Sequence, residues 1–85
     1  ENVQVNKRVT IVIPTFNERD NIIRLLPLLN KVIRASIIIV DDNSQDGTAE
    51  AIRSLNSPNI QVIVRKKERG LGSAIRTGIQ KAIEN

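Results

Sequence analysis

The sequence has 85 residues, so it forms one small domain at most, and a domain of this size buries only about 60% of its unfolded surface. It contains no cysteine, which excludes a disulfide framework and thiol chemistry, and Phe16 is its single aromatic residue, so the core must be aliphatic. A net charge of +4 favours anionic partners: phosphates, nucleotides, nucleic acid or a membrane surface. No apolar run approaches the roughly 18 residues of a membrane span and nothing resembles a signal peptide, so we expect the chain as given to be soluble.

Three apolar runs predict β-strands, and a helical pattern follows each of them. We expect the strands at about residues 9–14, 36–41 and 60–65, and the helices over 17–34, over 49–55 and from Leu71 onwards. The second strand carries four β-branched residues in succession, over 37–40, which is typical of a strand buried on both faces. The third alternates more, which indicates an outer position. Pro27 predicts a kink or a restart in the first helix.

This β-α-β-α-β-α order predicts an α/β fold with a three-stranded parallel sheet. Right-handed crossovers place successive strands side by side, in the order 3-2-1. The first strand then has an unpaired edge, where a Rossmann-like architecture normally adds further strands. We therefore interpret residues 1–85 as the first half of a larger α/β domain, either cut from it or completed by association. In the last helix, Gly78 is expected to allow a close approach to the sheet.

The strongest candidate site is the pair Asp41 and Asp42, which comes directly after the buried second strand. Ligands of open parallel sheets bind outside the carboxyl ends of the strands, and two adjacent acids exceed what local capping needs. Asp46 is expected to cap the next helix, with Gly47 in a left-handed conformation. The run from Asp42 also imitates the start of a calcium loop, but Arg53 stands at position twelve, where a bidentate glutamate is required.

Two further motifs flank helix starts. Thr15 and Glu18 have the spacing of a capping box, with Asn17 as an alternative cap, and the same strand end could aim side chains into the crevice. Gly70 and Gly72 follow a basic loop over 65–69, which predicts a corner that faces a diphosphate; a solvated basic loop is the alternative.

Together, the stretches 9–18, 40–48 and 69–74 resemble the inverting family 2 glycosyltransferases, in the branch of dolichyl-phosphate mannose synthases and polyprenyl-phosphate sugar transferases. The resemblance implies the nucleotide-binding half of a GT-A fold. It implies transfer of mannose or glucose from a nucleotide-sugar such as GDP-mannose to a polyprenyl or dolichyl phosphate, at the cytoplasmic face of a membrane. It also implies Mg²⁺ or Mn²⁺ held by ligands outside this chain, no catalytic residue within it, and a chain that is inactive alone.

Carried over residue by residue, the resemblance gives Phe16 the role of stacking on the base and Asp42 that of hydrogen-bonding it, while Asp41 supports the loop. The implied nucleotide-binding set is Pro14, Thr15, Phe16, Glu18, Asp41 and Asp42. Arg69, Gly70 and Gly72 would lie near the diphosphate.

Two alternatives of another class stay open from the sequence. One is a non-catalytic nucleotide- or phosphate-binding module. The other is a receiver-like signalling domain, which needs a phosphoacceptor Asp after its third strand, where this chain has Arg65 and Lys66. We expect no nucleic-acid partner, and we expect self-association through the exposed sheet edge.

Overall fold

The predicted elements are all present in a computed structural model that describes residues 9–66 and 70–84. The elements, in chain order, are β1 (Thr10–Thr15), α1 (Arg19–Val32), β2 (Ser36–Asp41), α2 (Thr48–Arg53), β3 (Ile60–Val64) and α3 (Leu71–Glu84). Each strand lies within one residue of its expected bounds, whereas α1 is shorter than expected at both ends.

The three strands form one parallel sheet in the predicted order, with β2 between β1 and β3. Residues 37–41 of β2 are all buried, as the unbroken apolar run indicates, and β3 is only partly buried at the outer position expected for it. The register pairs Thr15 with Asp41, and Asp41 with Val64. All three strands therefore end at the same edge of the sheet, where the candidate residues follow.

The sheet carries helices on both faces. On one face, α1 and α2 cover a cluster built on Ile22, Leu26, Ile37, Ile39 and Ile52. On the other face, α3 covers a smaller cluster built on Ile38, Val40 and Ala74. The chain thus crosses to the second face after β3, and α3 packs back over β1 and β2. This crossing brings the start of α3 to the carboxyl end of β2.

The expectation for Gly78 is confirmed. Gly78 is buried, and a Cβ built there would overlap the Cγ1 atom of Val12 in β1. The absent side chain is what allows α3 to lie this close to the sheet.

Of the kink or restart expected at Pro27, the restart does not occur. The helix runs through Pro27, because Ile22 and Leu26 are buried in the core and hold it against the local loss of one hydrogen bond. It also begins at Arg19 rather than at Asn17, because Asn17 has a φ of +52° and its backbone N–H donates to another loop. At the other end, Ile33 is already extended.

Candidate functional site

The two adjacent carboxylates at the end of β2 lie on opposite faces of the sheet. Side chains alternate along a strand, so Asp41 follows Ile37 and Ile39 onto the face of α1 and α2, and Asp42 follows Ile38 and Val40 onto the face of α3. Their hydrogen bonds agree with this assignment. The doublet is therefore two separate sites with two sets of partners.

Asp41 is a buried acceptor that holds the turn after β2. Its side chain accepts hydrogen bonds from the Thr15 hydroxyl at 2.7 Å, the Ser44 hydroxyl at 2.5 Å and the Ser44 backbone N–H at 2.8 Å. The residue is only 1% exposed. Such a carboxylate is stabilised by donors on every side, which gives Asp41 a structural role beneath the loop.

The same contact shows that the predicted capping box is wrong. The Thr15 hydroxyl bonds to Asp41 across the sheet instead of to the start of α1. Glu18 stands at the N-cap position without a side-chain bond to the helix, and its carboxylate accepts the N–H of Phe16 at 3.4 Å. A long-range partner therefore outcompetes the local one for Thr15.

The loop after β1 and the loop after β2 are cross-linked by reciprocal hydrogen bonds. The backbone N–H of Asn17 donates to the Ser44 hydroxyl at 2.7 Å, and the backbone N–H of Gln45 donates to the Asn17 side-chain carbonyl at 2.8 Å. The backbone N–H of Arg19 donates to Asp46 at 3.1 Å. These three bonds fix the two loops against each other beside the ends of the strands.

Asp46 also caps α2, as the sequence predicts. Its carboxylate accepts the backbone N–H of Thr48 at 3.1 Å and the Thr48 hydroxyl, and Gly47 between them has a φ of +80°. The hydroxyl bond, followed by the backbone bonds from Arg19 and Thr48, lowers the pKa of Asp46 below its ordinary value of 3.8.

Asp42, on the opposite face, is paired with Arg65. The Nε–H of Arg65 donates to Oδ1 of Asp42 at 2.9 Å, and Nη2 lies 2.7 Å from the same oxygen in an ion pair. The backbone N–H of Gly70 donates to Oδ2 at 3.3 Å. The Asp42 side chain keeps 14% of its surface exposed, whereas that of Arg65 keeps 5%. This pair joins the ends of β2 and β3 to the start of α3.

The basic-loop pattern includes Arg65 only as part of the corner expected to face a diphosphate, whereas the structure buries its side chain against Asp42. One signal in the sequence could have identified this partner. Counting the alternation along β3 places Arg65 on the face of Ile63, which packs with Val40. Asp42 continues from Val40 onto that same face. An arginine and an aspartate that leave neighbouring parallel strands on one face are close enough to pair.

The other predicted residues are distributed around these two carboxylates. Pro14 is half-buried in β1 opposite Val40, and Phe16, just beyond the strand, is 48% exposed. Gly70 has a φ of +111°, and Gly72 has open space where a Cβ would project. Arg69 lies outside the described residues.

The residues present here do not fit a divalent cation. Within residues 9–66 and 70–84, no three acidic, histidine or cysteine side chains come together as a metal site would need. Asp41 is occupied by hydroxyl and N–H donors, and Asp42 faces a guanidinium. Neither carboxylate offers the open oxygen cluster that Mg²⁺ or Mn²⁺ prefers.

Comparison with known proteins identifies the family. The sequence model of glycosyl transferase family 2 matches residues 10–84, which is nearly the whole described chain. The chain belongs to this family. The strand ends and loops described above therefore form part of a family 2 glycosyl transferase domain, which decides against the receiver-like alternative.

Several relatives within the family are dolichol-phosphate mannosyltransferases. The one from Pyrococcus furiosus is 38% identical over 79 residues, which cover 88% of this chain and 22% of that protein. Those from Mycosarcoma maydis and Saccharomyces cerevisiae are 37% and 36% identical, covering 86% of this chain and 29% and 30% of theirs. The chain thus spans between a fifth and a third of the length of these relatives.

A solved structure matches the fold as well. It is the mannosyltransferase PcManGT from Pyrobaculum calidifontis in complex with GDP-Man and Mn²⁺, with a TM-score of 0.76 and 27% sequence identity. The match covers 89% of this chain and 25% of that one. The three-stranded parallel sheet of the family 2 chain is therefore the α/β arrangement of a GT-A glycosyltransferase.

Proposed function

We propose that this family 2 chain is the nucleotide-binding part of a mannosyltransferase that transfers mannose from GDP-mannose to dolichyl or polyprenyl phosphate. The observation that carries the proposal is the identity of 36–38% to three dolichol-phosphate mannosyltransferases over 86–88% of the chain. The mannosyltransferase with GDP-Man among solved structures supports the same sugar and base.

In this proposal the carboxyl edge of the sheet binds the nucleotide. Phe16, exposed beside β1, stacks on the base, and Asp42 accepts a hydrogen bond from a base N–H. Pro14 and Glu18 line the base and ribose, and Thr15, buried beneath them, contributes through its hydrogen bond to Asp41. Asp41 acts from below, by holding the loop that carries Asp42.

The diphosphate is proposed to lie near Arg69, Gly70 and Gly72, at the start of α3. A bound Mg²⁺ or Mn²⁺ would neutralise the departing diphosphate, and its ligands are proposed to lie outside the described residues, since those present do not fit a cation. On this basis the 85 residues alone would bind nucleotide without transferring sugar.

The chemistry of the proposed acceptor determines where in the cell the reaction would occur. A dolichyl or polyprenyl phosphate is a lipid, so we propose that the protein works at the cytoplasmic face of a membrane. Within the described ranges, every helix is too short or too polar to traverse a bilayer.

A transfer assay on the intact protein tests the proposal. The protein is supplied with dolichyl phosphate in detergent, a divalent cation, and either GDP-mannose or UDP-glucose. We expect a mannosylated lipid from GDP-mannose only. Transfer from UDP-glucose alone would refute the assigned donor, and binding of GDP without transfer from either donor would point to a non-catalytic nucleotide-binding module.

A further inference from the structure

Arg65 is a buried cation at the junction of three elements. It is the first residue after β3, its backbone N–H donates to the Asp41 carbonyl at 2.8 Å, and the residue is 6% exposed. A guanidinium taken out of water in this way is strongly destabilising unless its donors are satisfied. The partners that satisfy the donors of Arg65 therefore indicate the role of this residue.

Those partners lie on both sides of the guanidinium. Toward β2, Nε donates to Oδ1 of Asp42, and Nη2 forms an ion pair with the same oxygen. Toward α3, Nη1 donates to the Ser73 hydroxyl at 2.6 Å and to the Thr77 hydroxyl at 3.3 Å. The fork of Arg65 thus spans from the carboxylate to the first two turns of α3, a reach that the single ammonium of lysine does not provide.

The two oxygens of Asp42 differ in how fully they are hydrogen-bonded within the protein. Oδ1 accepts the Nε–H of Arg65 and is in ion-pair contact with Nη2, whereas Oδ2 accepts, among the described contacts, the long 3.3 Å bond from Gly70. A carboxylate oxygen accepts about two hydrogen bonds, so Oδ2 keeps acceptor capacity. Because Oδ1 is held by a charge-assisted hydrogen bond and an ion-pair contact from one guanidinium, the direction of Oδ2 is fixed as well.

We propose that Arg65 is a positioning residue for nucleotide recognition: it holds Asp42 with one oxygen engaged and presents the other to the base. The inference rests on the proposed function of Asp42 as the base acceptor. It goes further in naming the residue on which that acceptor depends and in coupling it, through Ser73, to the start of α3. Arg65 itself does not touch the nucleotide.

A double-mutant cycle on GDP binding tests the coupling. GDP affinity of the intact protein is measured by calorimetry in EDTA for wild type, Arg65→Met, Asp42→Asn and the double variant. We expect each single change to weaken binding about tenfold or more, since each disrupts the same charge-assisted acceptor. We expect the double variant to bind within about threefold of Asp42→Asn, because residues that act through one contact are not additive.

Two further variants separate positioning from folding. Arg76→Met removes an exposed arginine of α3 and serves as the matched control for loss of charge, with GDP affinity expected to stay unchanged. Ser73→Ala removes one anchor of Arg65 while leaving the ion pair, so it remains informative if Arg65→Met does not fold. We expect Ser73→Ala to weaken GDP binding a few-fold in wild type and to have no effect in the Asp42→Asn background.

The outcomes distinguish the inference from the function it rests on. If Asp42→Asn weakens GDP binding while Arg65→Met and Ser73→Ala do not, or if their effects multiply with that of Asp42→Asn, Arg65 does not position Asp42. If the wild-type protein does not bind GDP, the proposed function is itself refuted, whatever the variants show.

Discussion

At the scale of single residues, the two adjacent acids at the end of β2 face opposite sides of the sheet and have different partners. Asp41 is buried under its own loop by Thr15 and Ser44, and Asp42 stays partly exposed beside Arg65. The alternation of side chains along β2 is sufficient to cause this split. In the proposed enzyme the first acid organises the loop and the second meets the ligand.

Replacement of Asp42 distinguishes a base acceptor from a cation ligand. Asp42→Asn nearly preserves volume but removes the charge, and losing a charge-assisted hydrogen bond costs about 1.5–3 kcal/mol, or about 10–150-fold in affinity. We expect this loss in nucleotide affinity measured without any divalent cation. If metal-free affinity stayed intact and only cation binding weakened, Asp42 would be a metal ligand instead.

The sequence predicted which residues gather at the site better than it predicted their bonds. Asp41, Asp42 and Asp46 follow from local pattern, because a strand end and a helix start are local events. The hydrogen-bond partners of Thr15 and Arg65 do not follow from local pattern, because they lie on neighbouring strand ends, 26 and 23 residues away along the chain. A local capping rule therefore failed at Thr15, where a tertiary contact was available.

At the scale of elements, the contact between α3 and β1 depends on one missing side chain. In Gly78→Ala, the new Cβ would overlap Val12, and overpacking of this kind outweighs the gain of about 1 kcal/mol in helix propensity. We expect a net loss of about 1–2 kcal/mol in the free energy of unfolding, measured by urea titration with circular dichroism.

Two controls accompany this variant. Gly72→Ala, which meets open space on the same helix, should be neutral or slightly stabilising. In a Val12→Ala background, Gly78→Ala should no longer destabilise. A stabilising Gly78→Ala in the wild-type background would show that α3 does not pack this closely.

Asp46, which joins the two loops at the sheet edge, makes the free energy of unfolding depend on pH in the acidic range. Its pKa is lowered in the folded state, chiefly by the Thr48 hydroxyl, so the unfolded state binds the proton more readily. The stabilisation is therefore present above the unfolded value near 3.8 and is lost as the pH falls through the lower, folded value. We expect Asp46→Asn to flatten the decline in unfolding free energy below pH 3.8.

Urea titrations on either side of that pH provide the measurement. Asp20→Asn serves as the control, because Asp20 is an exposed acid of α1 whose carboxylate makes one long contact of 3.9 Å, with Arg19. Equal pH profiles for wild type and Asp46→Asn would contradict the role assigned to Asp46.

At the scale of the whole molecule, the sheet order and strand bounds were predictable because apolar runs and crossover handedness determine them together. The sequence could not predict that α1 continues through Pro27, because this depends on how firmly Leu26 packs in the folded core. The sequence also could not show how far the second face is covered. There, α3 exposes a stripe spaced by four residues, each between 39% and 74% exposed: Leu71, Ile75, Ile79 and Ile83.

This stripe, with the edge of β1, predicts that the 85-residue chain associates with itself at high concentration. Sedimentation velocity should show concentration-dependent species larger than a monomer. Ile79→Lys should shift them toward monomer, whereas Gln80→Lys, beside the stripe on the same helix, should not. A monomer that persists at all concentrations would rule this out.

The opposite facing of Asp41 and Asp42 also has a consequence for how such a sequence can change over generations. A substitution in the loops alters the contacts of one side chain, but a single-residue insertion or deletion within β2 would reverse the facing of every side chain beyond it. Asp41 would turn toward Arg65, and its neighbour would face Thr15, so both sites would fail in one step. We therefore expect lineages that carry this domain to vary in length at the opposite end of the sheet, and to hold the length of β2 constant.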